Sequence, residues 1–317
     1  LNHRRAESPS ISSLTLGTAQ LGLEYGIANK TGKPRLESAC EILQVAVESG
    51  INTFDTAPGY GSSEEIIGAF VSTHSHSLVQ QRPVIVTKIP MVQCQADTSF
   101  KDIYAHIRTS LLQSGSRLRL RRIPICLLHN APDMLRYGGL VARSLLELKR
   151  EGLVSLVGIS AYHPEDVEQF LEFEKFDAIQ IPINILDTRL IKQGLLNELA
   201  QREVLVFARS VFLQGLFFLG PNHLPLHLIS AQEPLMQLER TAHSLGRSVA
   251  EIAITFVRDL PGITSVVLGV ETVGQLRENI KHMGAAPLPK EVAEAIPDMF
   301  RNVSEHIIDP SKWNKGG

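Results

Sequence analysis

Cysteine is scarce. Cys40, Cys94 and Cys126 are the only three in 317 residues, too few and too scattered for a disulfide framework or a CxxC metal site. That usage points to a reducing, cytoplasmic compartment. Excess charge of one sign is also missing. Thirty-one Lys and Arg stand against 33 Asp and Glu, a formal net charge of −2, so no basic surplus is present to neutralise a nucleic-acid backbone. The most apolar stretch, 211–219, is broken by Gln214 and is far short of a bilayer crossing. Arg4 and Arg5 lack the apolar segment that follows them in an export signal. No Pro/Ser-rich linker, internal repeat or low-complexity tract divides the chain.

What the sequence does contain is alternation. Short runs rich in Val, Ile and Leu fall at 13–16, 51–55, 84–88, 123–129, 155–160, 178–183, 204–210 and 265–269, as expected of parallel strands buried on both faces. Helical stripes lie between them, such as Leu36, Ala39, Leu43 and Val47, then Phe100, Ile103, Ile107 and Leu111. Ser62, Ser99, Ser248 and Thr272 are each followed three residues later by Glu, Asp or Gln, at or near capping-box spacing. Gly50, Gly115 and Gly152 stand where helices are expected to stop. An open doubly wound sheet announces itself with a glycine fingerprint after its first strand. Here Gly17, Gly22 and Gly26 have neither dinucleotide nor P-loop spacing. The predicted fold is α/β, one (β/α)8 TIM barrel over 14–283, with an N-terminal extension at 1–13 and a C-terminal helix and tail at 284–317. The interval from 204 to 265 leaves room for a long loop and an extra helix.

Reactive groups of such barrels sit at the C-terminal ends of the strands. By that rule the second strand delivers Asp55 and, in its loop, Tyr60; the third ends on Lys88 and the fourth on His129. Singly, each has a structural explanation as turn former, half-buried anchor, solvated charge or hydrogen-bonded imidazole. Together on one face they form a proton-donating set. A free phenol titrates near ~10; a nearby ammonium lowers that value, and a carboxylate holds the ammonium in place. A neutral His129 could then orient a substrate carbonyl. No base-paired Ser or Cys at a strand end offers a nucleophile. Lys88 also admits a Schiff-base aldolase or lyase, against which Asp55 argues by stabilising the protonated amine. His74-Ser75-His76 has no Cys or close carboxylate beside it, so no metal is expected.

Residues 50–61, reading GINTFDTAPGYG and followed by Ser63, Glu64 and Gly68, resemble the signature of the aldo-keto reductases. Lys88 in Val-Thr-Lys, His129 in Leu-Leu-His and the 152–160 block ending Gly158-Ile159-Ser160 are similar to further blocks of that family, and the resemblance spans about 14–283. It implies a (β/α)8 barrel, nicotinamide-dependent carbonyl reduction or its reverse, and Asp55, Tyr60, Lys88 and His129 as catalytic tetrad with Tyr60 the general acid. It also implies that Ser160 and Gln180 hold the nicotinamide carboxamide, with Ala161 where many members have Asn. Arg209, before Ser210, stands where many relatives stack an aromatic ring on the nicotinamide; it can stack likewise, or reach a phosphate or an anionic substrate.

Gly269, Glu271 and Thr272 lead into a helix whose N-terminus suits a phosphate. By the resemblance Gln275, Glu278 and Asn279 belong to the adenosine side, Glu278 and Asn279 on adenine. NADP(H) is the cofactor expected from the family, with NAD(H) open because Gly269 and Gln275 occupy positions that are often basic and Glu271 adds negative charge. Arg277 and Lys281 on the same helix could compensate. Loops after the first, fourth and seventh strands and the tail nominate Tyr25, Asn130, Phe212 and Trp313 for the substrate pocket. The 14–29 segment resembles a bacterial subgroup associated with surface-sugar biosynthesis, so a sugar-like aldehyde or ketone is the expected small-molecule partner. A third reading is a barrel that senses NADP(H) without turnover.

Overall fold

In the computed structural model the apolar runs become strands β1 (Leu14–Gly17), β2 (Thr53–Asp55), β3 (Val84–Ile89), β4 (Ile123–Leu128), β5 (Val154–Ser160), β6 (Ala178–Pro182), β7 (Leu205–Arg209) and β8 (Ser265–Gly269). The structure describes residues 9–74, 83–95 and 97–313; Arg4, Arg5, Ser75 and His76 lie outside them. Among the described residues the eight strands pair in sequence order, all parallel, and β1 pairs with β8 to close a (β/α)8 barrel. Helices between consecutive strands bury their apolar stripes on the outer surface of the barrel. Ile103, Ile107 and Leu111 of the Phe100–Leu118 helix are buried there. The long interval after β7 holds short 3₁₀ turns and the helices Gln232–Ser244 and Val249–Arg258.

Three of the four expected caps form: Ser99, Ser248 and Thr272 accept from the backbone N–H three residues on, at 3.3, 3.1 and 3.2 Å. Ser62 does not. Its hydroxyl instead accepts from Lys33 Nζ at 2.5 Å. Gly115 does not end its helix either, which runs on to Leu118 and stops at Arg119 in the left-handed region, φ 56°. The Leu120 N–H returns to the Gly115 carbonyl at 2.8 Å, so the glycine marks where the chain folds back.

Two cores result. One fills the layer between sheet and helices. The other lies inside the barrel and contains Val84, Val86, Ile125, Leu127, Ala178 and Phe207. Gly158 on β5 makes room for it, since a Cβ there would lie 1.7 Å from the Ala178 carbonyl oxygen and 3.0 Å from Leu127 Cδ2. Backbone pairing and a side chain would both have to move. Gly158→Ala is expected to destabilise the barrel by about 3 kcal/mol or more, read as a fall in the urea midpoint; an unchanged midpoint would mean that β5 and β6 separate freely.

Candidate active site

Residues two apart on a strand share a face. One step of two along the chain from Val86, Leu127, Ala178 and Phe207 of the inner core therefore brings Lys88, His129, Gln180 and Arg209 to a common level at the C-terminal mouth. Asp55 joins them in register with Gly17 and Val86, and Ser160 lies opposite Gln180. This layer borders a cleft of about 1150 Å³.

Lys88 is fully buried and donates three hydrogen bonds: to Asp55 Oδ1 at 2.8 Å, Asp55 Oδ2 at 3.0 Å and the Thr56 carbonyl at 3.0 Å. Gln180 Nε2 donates to the same Asp55 Oδ1 at 2.8 Å, and Ser160 Oγ donates to Gln180 Oε1 at 3.3 Å. A charge removed from water is tolerable only when paired and hydrogen-bonded, and this chain from Ser160 to Lys88 meets that condition. Lys88 does not line the cleft. A Schiff-base lysine needs an amine open to substrate, and Lys88 is closed in on every side.

Tyr60 lies edge-on to His129, with centroids 5.9 Å apart and planes at 86°, while Lys88 Nζ sits 4.9 Å from the centre of its ring. The ammonium was expected to lower the phenol pKa. The structure reverses that direction: burial, then the Asp55 carboxylate, push Tyr60 up, opposed by Arg209. The physical reason is burial first, which withholds water from a phenolate, and then repulsion by the Asp55 carboxylate; the Lys88 ammonium donates its hydrogen bonds to Asp55 and Thr56 and meets only the ring face. His129 is pushed down to about 3 by burial, then by the Lys88 and Arg209 charges. The site thus presents a protonated phenol and a neutral imidazole side by side.

Tyr25, Asp55, Ser160, Gln180, Arg209, Ser210 and Phe212 line the same cleft as Tyr60 and His129, and Gly269, Glu271, Gln275, Glu278 and Asn279 line its other end. Thr272 caps the helix there without lining the cleft, and Trp313 of the tail does line it. Asn130 does not line this cleft. Its amide is engaged by Asp133 Oδ1 at 2.9 Å, and it faces a second cleft of about 500 Å³ that shares His129 and Tyr162 with the first. The chain turns at once into the 3₁₀ turn Ala131–Met134, which draws Asn130 aside.

Gln20, Tyr162, Arg189, Gln214 and Asp309 also line the main cleft, and sequence reasoning missed them. Gln20 and Tyr162 follow strand ends closely and the strand-end rule could have found them. Arg189 and Asp309 are brought in from distant segments and carry no local signal. The loop after β7 holds Ser210, Leu213 and Gln214 at φ 65°, 48° and 54°, unfavourable for side-chain-bearing residues. It is fastened by the Ile27 N–H to the Gln214 carbonyl at 2.9 Å, and Thr31 Oγ1 donates to Glu271 at 3.2 Å. The loop after β1 thus runs along the cleft, tied at both ends. Donor atoms of His163, Glu305 and Asp309 gather within 4.8 Å of one another. Lys312 and Arg189 lie 2.7 and 3.5 Å from Glu305, so cations of the chain itself already serve that carboxylate. Among the described residues no helix is long and apolar enough to cross a membrane.

A closed parallel barrel with a phenol, a neutral imidazole and a buried acid–lysine pair at its mouth is arranged for proton transfer to a bound oxygen. The aldo/keto reductase family model matches residues 13–299, and the chain belongs to that family of oxidoreductases. It is 25% identical over 300 residues to an uncharacterized oxidoreductase, YqkF, of Bacillus subtilis, covering 89% of this chain and 94% of the relative. It is 26% identical over 327 residues to L-glyceraldehyde 3-phosphate reductase of Escherichia coli, covering 94% and 91%. The structure of an aldo-keto reductase from Bacillus halodurans, in its holo form, superposes with a TM-score of 0.71 at 22% identity, covering 91% of this chain and 92% of that one.

Proposed function

We propose that this enzyme reduces a small, sugar-like aldehyde or ketone with a nicotinamide cofactor, Tyr60 supplying the proton. The observation that carries this reading is the convergence of Tyr60, His129, Gln180 and the Lys88–Asp55 pair on one end of one cleft. The donor set fits the cofactor. Gln180 has used one amide hydrogen on Asp55 and Ser160 reaches its carbonyl, which leaves polar capacity for a carboxamide. At the other end Gly269 and Gln275 line the cleft beside the N-terminus of the Val273–Met283 helix, whose dipole favours a phosphate. When bound, the nicotinamide supplies hydride to the carbonyl carbon.

The remaining work falls to this chain. His129, neutral, orients the carbonyl oxygen by a hydrogen bond. As that oxygen gains charge, Tyr60 Oη gives up its proton to it. The raised pKa keeps the proton on Tyr60 until an alkoxide forms, a stronger base than the phenolate. Lys88, held by Asp55, then lies beside the phenolate ring as its counter-charge. A sugar-like substrate is supported by the small sugar-derived aldehyde named for the Escherichia coli relative. The family expectation is NADP(H), with NAD(H) as the alternative; between them the lining favours NAD(H). Glu271 and Glu278 border the cleft there with His282, whereas Arg277 and Lys281 do not, so a 2′-phosphate would meet carboxylates without a lysine or arginine partner.

A spectrophotometric screen of short aldehydes, hydroxyketones and sugars with NADH and NADPH tests the proposal. Turnover is expected, with the lower Kd for NADH. Between about pH 5 and pH 8 the rate should lack an imidazole limb, because His129 is neutral throughout, and should fall only when alkali deprotonates Tyr60. Tight cofactor binding with no carbonyl reduced across the panel would overturn the proposal in favour of a sensing role.

A further inference from the structure

Arg209 is the last residue of β7 and shares the inner face of that strand with Leu205 and Phe207. Its guanidinium leaves the strand toward the loop after β5. Nη2 donates to the Ala161 carbonyl at 2.8 Å, Nη1 to Ser210 Oγ at 3.1 Å, and Cζ lies 4.5 Å from the centre of the Tyr162 ring. Two of five donors are thereby used. Among the described residues no carboxylate pairs with it, although Arg117, Arg136, Arg189 and Arg258 each have one within 3 Å. A part-buried cation lacking a counter-charge is unfavourable in the empty protein, and an anionic ligand would supply what is missing.

We infer that Arg209 is the recognition group for an anionic carbonyl substrate, a small aldehyde or ketone bearing a phosphate or a carboxylate. Two observations set the ligand apart from the cofactor phosphates. The guanidinium points from β7 across β6 to Ala161 and Tyr162, away from the helix N-terminus beyond β8. Its charge also acts on both Tyr60 and His129, so it stands near the reacting carbonyl, and the anion lies only a few bonds from that carbonyl. Tyr25 and Tyr162 border the same space. Burial holds the Tyr25 phenol up at about 12, which keeps it a hydrogen-bond donor for the same anion. Guanidinium is suited to the task because its planar donors match phosphate and carboxylate geometry.

The inference rests on the carbonyl-reductase reading and names its substrate class. Its test compares kcat/KM for glyceraldehyde 3-phosphate against glyceraldehyde and for succinic semialdehyde against butanal. The anionic member of a pair is expected to lead by about ten- to a hundredfold. In Arg209→Gln that lead should collapse toward unity, chiefly through KM, and Arg209→Lys should restore part of it. The cofactor Kd should move by less than about threefold. The pair with the larger ratio tells phosphate from carboxylate. An unchanged ratio in Arg209→Gln, or a cofactor Kd rising in step with the loss, overturns the assignment. Failure of the carbonyl-reductase reading looks different, as no nicotinamide oxidation with any of the four compounds. Calorimetry with glycerol 3-phosphate against glycerol, with and without NAD⁺, then still decides. Phosphate binding that Arg209→Gln abolishes supports the inference, and equal binding of both compounds overturns it.

Discussion

Tyr60→Phe is expected to lower kcat for carbonyl reduction by about 10³, within the range for removing a general acid and equivalent to roughly 4 kcal/mol of barrier. The variant deletes one oxygen. The ring keeps its edge contact with His129 and its place under Lys88, and no hydrogen bond ties the lost hydroxyl to a described residue. Thermal stability should therefore hardly change, and cofactor Kd should stay within about twofold. That pattern separates a lost proton from a damaged site. Near-wild-type rates on every accepted carbonyl would remove Tyr60 from the mechanism, and another acid would have to be sought.

Lys88→Met should cost both activity and stability. The methionine fits the space but leaves Asp55 buried without its cation, and removing one partner of a buried pair typically costs about 3–5 kcal/mol. For a chain of this length the melting temperature should drop by roughly 5–10 °C. Lys88→Met combined with Asp55→Asn removes the orphaned charge and keeps a hydrogen-bonding group for Gln180, so much of the lost stability should return. Turnover should not, because the phenolate then lacks its counter-charge. Scanning calorimetry and kcat of the two variants check this. If the double variant melts no higher than Lys88→Met, the pair is not what balances this part of the interior.

Much of this arrangement was legible in the order of residues, and the reason is geometric. A strand presents every second side chain to the same side, so the pattern Val84, Val86, Lys88 already places the lysine above the inner core. The same step carries Leu127 to His129, Ala178 to Gln180 and Phe207 to Arg209. Strand ends were readable because Val/Ile/Leu runs stop where polar mouths begin. Caps were readable where they depend on four consecutive residues, as at Ser248 and Thr272. Ser62 failed because its backbone, at φ −89° and ψ 15°, is not extended like that of a capping residue. Gly115 failed because its role depends on where the chain goes afterwards.

The sequence by itself determined the class of fold, the eight strands and the residues that reach the mouth, since these follow from periodicity along a single strand. Tertiary structure decided the rest. The direction of the Tyr60 shift depends on burial and then on the Asp55 carboxylate, opposed by Arg209, a balance between groups on different strands and loops. Asn130 donates to Asp133 and lines a neighbouring cleft, while Arg189 and Asp309 were brought to the main cleft from elements without local motifs. That Arg209 has no acidic partner among the described residues is likewise a statement about what is packed around it. Local order encodes which way a side chain points; only the closed barrel establishes what it meets there.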